Sequence, residues 1–223
     1  SISQKIPTML LLFTGIFYQA WQEKSISLTG DTNSGAYHSR IFDIYIRIMF
    51  TITIGIVTTS RFLLKYMVSP QFFESWKYTA ILLLGVIFNS LSSFLGTSYL
   101  SRKDTRGAMV SSMAGGGLTV LSSWFLIPAF GLYGAGLGIL VGYFLVFAIR
   151  NYDAYRFYGI RFPYGLFSVF MGLFAFSSAL NYIENGWVDA LNIFLSGCAL
   201  LYINQDFIKG LLAMRKKSTL KPA

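Results

Sequence analysis

The sequence predicts an all-α polytopic membrane protein with about seven transmembrane helices, and three observations carry that prediction. Of its 223 residues 54% are hydrophobic and only 12% charged, with a mean hydropathy of +0.57, whereas a soluble domain carries about twice that share of charge. The apolar runs are long and continuous, where a membrane β-barrel would need short alternating strands. No charged residue falls between Arg106 and Arg150, so two apolar runs meet at residues 125–138 without the charge a soluble hairpin shows to water. The formal charge of +9 is spread between the runs and at the C-terminus instead of forming one patch. That excludes a nucleic-acid surface and makes the cations topology signals. Cys198 is the only cysteine, so no intrachain disulfide forms.

The turn at 125–138 organises the chain. Pro128 is expected to end one helix, and the glycines after it let the backbone reverse tightly. Gly134, Gly138 and Gly142 then recur every fourth residue, a small-residue stripe on which a neighbouring helix can pack closely in lipid.

Taken in order, the first span covers residues 6–21, with Lys5, Thr8, Gly15, Gln19 and Gln22 making a polar stripe at helical spacing. The connection 23–40 is rich in turn residues and holds His38, read as a surface loop histidine because no Cys or acidic cluster accompanies it as a metal site would require. The second span, 41–64, carries Asp43 and Arg47 one turn apart, then Thr51, Gly55 and Thr58. The fourteen residues from Arg47 to Arg61 rise about 21 Å against a hydrocarbon core of roughly 30 Å. Arg47 therefore sits inside the boundary, where it either faces a water-filled cavity or pairs with Asp43 and snorkels.

The third span, 78–100, has a polar face of Gly85, Asn89, Ser92 and Gly96 that either lines a hydrophilic cavity or packs on a neighbour. A basic loop, 102–106, precedes the fourth span, 108–127, which contains Gly115, Gly116, Gly117 and Thr119; the fifth span is 131–149. A second basic loop sets Arg150, Arg156 and Arg161 among tyrosines. Pro163 opens a sixth span to about residue 180, an acidic turn with Glu184 and Asp189 follows, and a seventh span covers 188–208 before a basic tail.

Alternating crossings place Lys24, Arg40, Arg102, Lys103, Arg106, Arg150, Arg156, Arg161 and the tail cations on one side, against Arg61, Lys65 and Lys77 on the other. By the positive-inside rule the first side, with the C-terminal tail, is cytoplasmic. The N-terminus shows neither an initiator Met nor a cleavage site, so the chain is expected to be a fragment whose upstream part is missing.

Several stretches resemble the O-antigen and oligosaccharide-lipid flippases, or polysaccharide biosynthesis proteins, of the superfamily that also holds lipid II flippases and multidrug/toxin extrusion antiporters. They are Lys5-Ile6-Pro7 with Phe17-Tyr18-Gln19-Ala20-Trp21, Met67-Val68-Ser69-Pro70-Gln71-Phe72-Phe73-Glu74-Ser75-Trp76-Lys77-Tyr78, Leu91-Ser92-Ser93-Phe94-Leu95-Gly96-Thr97, and Leu126-Ile127-Pro128-Ala129-Phe130-Gly131-Leu132-Tyr133-Gly134-Ala135. Their order and spacing cover about residues 1–150. The resemblance implies two six-helix lobes around a central cavity, with two further C-terminal helices. On that pattern residues 1–150 are the later part of the C-terminal lobe, 151–209 two additional transmembrane helices and 210–223 a basic cytoplasmic tail.

The function implied is translocation of a polyprenyl-pyrophosphate-linked oligosaccharide, an O-antigen or capsule repeat unit, across the bacterial inner membrane by alternating access, without enzymatic chemistry, cofactor or metal. Lys5 and Arg47 are then the candidate phosphate cations, with Gln19, Thr51, Asn89 and Ser92 as cavity polar groups. The implied partners are the lipid-linked oligosaccharide, membrane lipid, a missing N-terminal lobe and the polysaccharide polymerase machinery. A multidrug antiporter remains an alternative and would want an embedded carboxylate, whereas this chain has Asp43 near an interface. A membrane-embedded glycan polymerase or ligase would want a large outer loop bearing catalytic residues, and an inactive truncated fragment is a third alternative.

Overall fold

The computed structural model describes residues 5–27, 34–67, 75–101, 103–183, 185–207 and 209; the basic tail at 215–221 lies outside them. Seven helices follow in order: α1 (Lys5–Ser27), α2 (Ser34–Met67), α3 (Trp76–Ser101), α4 (Thr105–Phe130), α5 (Leu132–Tyr158), α6 (Tyr164–Asn181) and α7 (Gly186–Ile203). No strand forms among the described residues, so the all-α polytopic class read from the sequence holds. Six helices, α2 to α7, are long and apolar enough to cross a membrane. α1 is not among them: Lys5 at its start and Gln19, Gln22, Glu23 and Lys24 toward its end leave a shorter apolar stretch between them.

Several expected helix ends move, α1 running on to Ser27 past the expected 21. α4 continues through Pro128 to Phe130, because proline's fixed φ is helical and, this close to the end, it forfeits only one backbone bond. The reversal comes at Gly131, whose φ of 56° favours glycine and whose N–H donates to Ile127 O. α5 continues past residue 149 until Gly159, at φ 66°, caps it, so Arg150 and Arg156 stand on a helix, not in a loop. α2 begins seven residues before the expected 41, and His38 is a buried helix residue, not a surface loop histidine. Its Nε2 lies 3.0 Å from Ser25 Oγ, and its ring meets Trp21 edge-on.

α3 is the central helix, packed against α1, α2, α4 and α5. Phe94 gathers stacked rings from two neighbours, Phe17 and Trp21 of α1 and Phe42 and Tyr45 of α2. Stacked and tilted pairs of this kind add to the area they bury. Trp21 Nε1 also donates to Thr97 Oγ1 at 3.1 Å, so the indole is satisfied inside the bundle.

α4 and α5 form a close antiparallel hairpin. Gly134, Gly138 and Gly142 all face α4: a methyl group on them would run into Leu126 O, Ser123 and Thr119 Oγ1 respectively, and one on Gly115 would strike Val146. Backbones meet here because no side chain separates them.

The α6–α7 hairpin is held to α2 by polar ties along its length. Arg61 Nη1 pairs with Asp189 Oδ2 at 3.1 Å at one end. One turn further along α2 Asn181 Nδ2, at the last residue of α6, donates to Val57 O (2.8 Å), while within the hairpin Asn192 Nδ2 donates to Ser177 O (3.0 Å) and Asn181 Oδ1 (3.1 Å). At the other end Asn204 Nδ2 donates to Thr51 Oγ1 (3.0 Å) and Arg47 Nη1 to Ile203 O (2.9 Å). Ser25–His38, Tyr99–Asp153 and Arg161 N–Ser39 Oγ lie at that same end of the bundle. Arg61–Asp189, Trp76–Tyr182 and Tyr182–Lys77 O lie at the opposite end. Successive helices therefore alternate in direction.

Candidate functional site

Two cavities carry the polar residues of the spans. The first, about 170 Å³, lies between α1, α2 and α3 and is lined by Thr14, Gly15, Tyr18, Tyr45, Asn89, Ser90 and Ser93. It forms where the small Gly15 leaves room beside the Asn89–Ser93 turn, and its walls offer hydroxyl and amide groups of the kind that bind sugars. The second, about 230 Å³, is a cleft between α2 and the C-terminal end of α7, lined by Arg47, Ile48, Thr51, Ile52, Leu200, Leu201, Asn204 and Phe207. Its walls are mostly apolar, with one guanidinium.

The structure divides the residues expected to share a site. Arg47 and Thr51 meet in the second cavity, whereas Asn89 lines the first. Gln19 lies on the exposed side of α1 with Thr8 and Gly15. Ser92 Oγ turns back to donate to Asn89 O at 2.8 Å. Lys5 opens α1, and its side chain lies outside the described residues.

Arg47 is held on two sides: Nε donates to Asp43 Oδ2 at 3.0 Å, and Nη1 donates to Ile203 O in the last turn of α7. A cation there also meets the negative end of the α7 dipole. The guanidinium thus pairs with Asp43, and the cleft it borders is mostly apolar.

Sequence reasoning missed Arg150, which it assigned to a loop. The one signal was its position as the first charge after 43 uncharged residues. It reaches from α5 to donate to Ser92 O of α3 and to Ser111 and Ser112 of α4. Among the described residues no group of three or more His, Cys, Asp or Glu side chains is placed to hold a metal ion.

No family model matches the chain, and no curated protein sequence does. Among solved structures it is similar to one described as lipid II flippase MurJ, inward closed conformation, with a TM-score of 0.70 and 14% sequence identity. The match covers 94% of this chain and 47% of that one, so the chain spans about half the length of the structure it resembles. At that identity the likeness concerns the fold: this chain has the polytopic helical architecture of a flippase, over a length corresponding to 47% of such a protein.

Proposed function

We propose that the chain is part of a carrier that moves a polyprenyl-pyrophosphate-linked oligosaccharide, an O-antigen or capsule repeat unit, across the bacterial inner membrane by alternating access. The observation that carries this reading is the likeness of nearly the whole chain to a lipid II flippase fold. In this reading residues 1–150 are the later part of a C-terminal lobe, 151–209 two additional helices and 210–223 a cytoplasmic tail. The exposed polar side of α1, with Thr8, Gly15 and Gln19, faces the other lobe across the transport path. The hydroxyl- and amide-lined cavity at Asn89 takes sugar, while the mostly apolar cleft beside Arg47 and Thr51 suits a prenyl tail near its charged head. No covalent step is needed: the work is done by rocking between inward and outward states.

The test is export of lipid-linked sugar by cells carrying the intact protein. Arg47→Gln keeps an N–H donor where Nε meets Asp43 but removes the charge and the bond from Nη1 to Ile203 O. Export is expected to fall about tenfold, the weight of one charge-assisted hydrogen bond, with the amount of protein in the membrane unchanged. Undiminished export by this variant would remove Arg47 from the transport path.

A further inference from the structure

We infer that Arg150 is a phosphate-binding site at the junction of α3, α4 and α5, an assignment that rests on the flippase reading only for the identity of the phosphate carried. Its guanidinium is held in place by neutral groups: Nη1 donates to Ser92 O (2.9 Å), Nε to Ser111 Oγ (3.1 Å) and Nη2 to Ser112 Oγ (2.9 Å). Gly96 provides the slot, because a Cβ there would lie 2.6 Å from Nη1.

The charge balance is what sets this residue apart. Arg47 and Arg61 each have a carboxylate, Asp43 and Asp189. Arg150 has none within 4 Å among the described residues, and Asp153, one turn further along α5, accepts the hydroxyl of Tyr99 at 2.6 Å instead. A half-buried cation in a membrane-crossing helix with only neutral acceptors is costly unless an anion joins it.

The geometry says which anion. Three of the five guanidinium N–H donors are used, leaving two, one on each terminal nitrogen, as the forked recognition of phosphate requires. The Nη2 side opens at Ser112, which is exposed. Arg150 lies eight residues before the end of α5, about 12 Å along the helix, a depth suited to a lipid-borne phosphate. Ser93, next in α3 to the Ser92 carbonyl that Arg150 holds, lines the Asn89 cavity. A sugar carried on a phosphate at Arg150 is therefore directed toward that cavity's hydroxyl and amide groups.

The test uses the full chain in phosphatidylcholine vesicles with three probes: polyprenyl pyrophosphate, phosphatidylglycerol and inorganic pyrophosphate. Ser112→Asp puts a carboxylate beside Nη2 at an exposed position, neutralising the cation while keeping its seat. Binding of the phosphate probe is expected to weaken about tenfold or more, with an unchanged or raised thermal midpoint, while the neutral Ser112→Asn binds like the parent. Arg150→Gln should weaken binding to the same degree. Retained binding in Ser112→Asp, or an equal loss in Ser112→Asn, overturns the assignment. Charge-sensitive binding that favours polyprenyl pyrophosphate supports both the site and the transport reading. Charge-sensitive binding without that preference keeps the site and counts against the transport reading. Binding of polyprenyl pyrophosphate that ignores the charge at 112 does the reverse, and failure of all three probes sinks the site.

Discussion

A Gly134→Leu chain is expected in membranes at no more than about a tenth of the normal level, and Gly138→Leu close to it. The reason lies in what each side chain meets. At Gly134 the first carbon would enter the backbone of α4 at Leu126 and Ile127, and at Gly138 it would strike the Ser123 hydroxyl, with the Ser123 Cα of the α4 backbone 3.1 Å away. Flexible side chains can give way to an added methylene, but a helix backbone moves only by parting the hairpin. Overpacking costs typically 1–3 kcal/mol, and a backbone collision belongs at or above the top of that range. Gly116→Leu is the matched control, because a Cβ there meets nothing within 4 Å. Quantifying the membrane fraction and the thermal midpoint of all three variants tests the claim; normal levels for both Gly134→Leu and Gly138→Leu would refute it.

Asn192→Leu is expected to destabilise the chain by about 2 kcal/mol. Asn192 is fully buried, donates to Ser177 O and Asn181 Oδ1 and accepts from Ser196 Oγ, so its loss strips partners from α6 and α7 together. Nothing in hydrocarbon replaces them. The double variant Asn181→Leu/Asn192→Leu should lose less than the sum of the two single changes, since removing both halves of a buried polar pair leaves fewer orphaned groups. Thermal midpoints in detergent read both effects. A single variant as stable as the parent would show that the amides are bystanders.

The fold was legible because its determinants are local or periodic. Continuous apolar runs mark the helices, and the spacing of Gly134, Gly138 and Gly142 marks a face that needs a close neighbour. Helix ends were harder. Pro128 reads as a stop, yet near the end of α4 it costs little. Arg150 follows a long uncharged run and so reads as the start of a loop, although Gly159 sets the true end of α5. Partners across the bundle were not legible at all. Periodicity shows which side of a helix is polar and not what it meets, so Arg61–Asp189, Asn181–Asn192 and the seat of Arg150 at Gly96 had no signature in the chain. The candidate site suffered most: residues grouped by their chemistry divide between two cavities, because α2 presents different sides to α3 and to α7.

The bonds from α2 to the last two helices run from Arg61, beside the turn of the α6–α7 hairpin, to Arg47 at the hairpin's other end, about 21 Å along α2. A hairpin pinned only at its turn would be free to swing like a gate, whereas one fastened at its turn and again at its far end must travel with whatever it is fastened to. If α2 tilts, α6 and α7 tilt with it as a single plank, without sliding between these three helices.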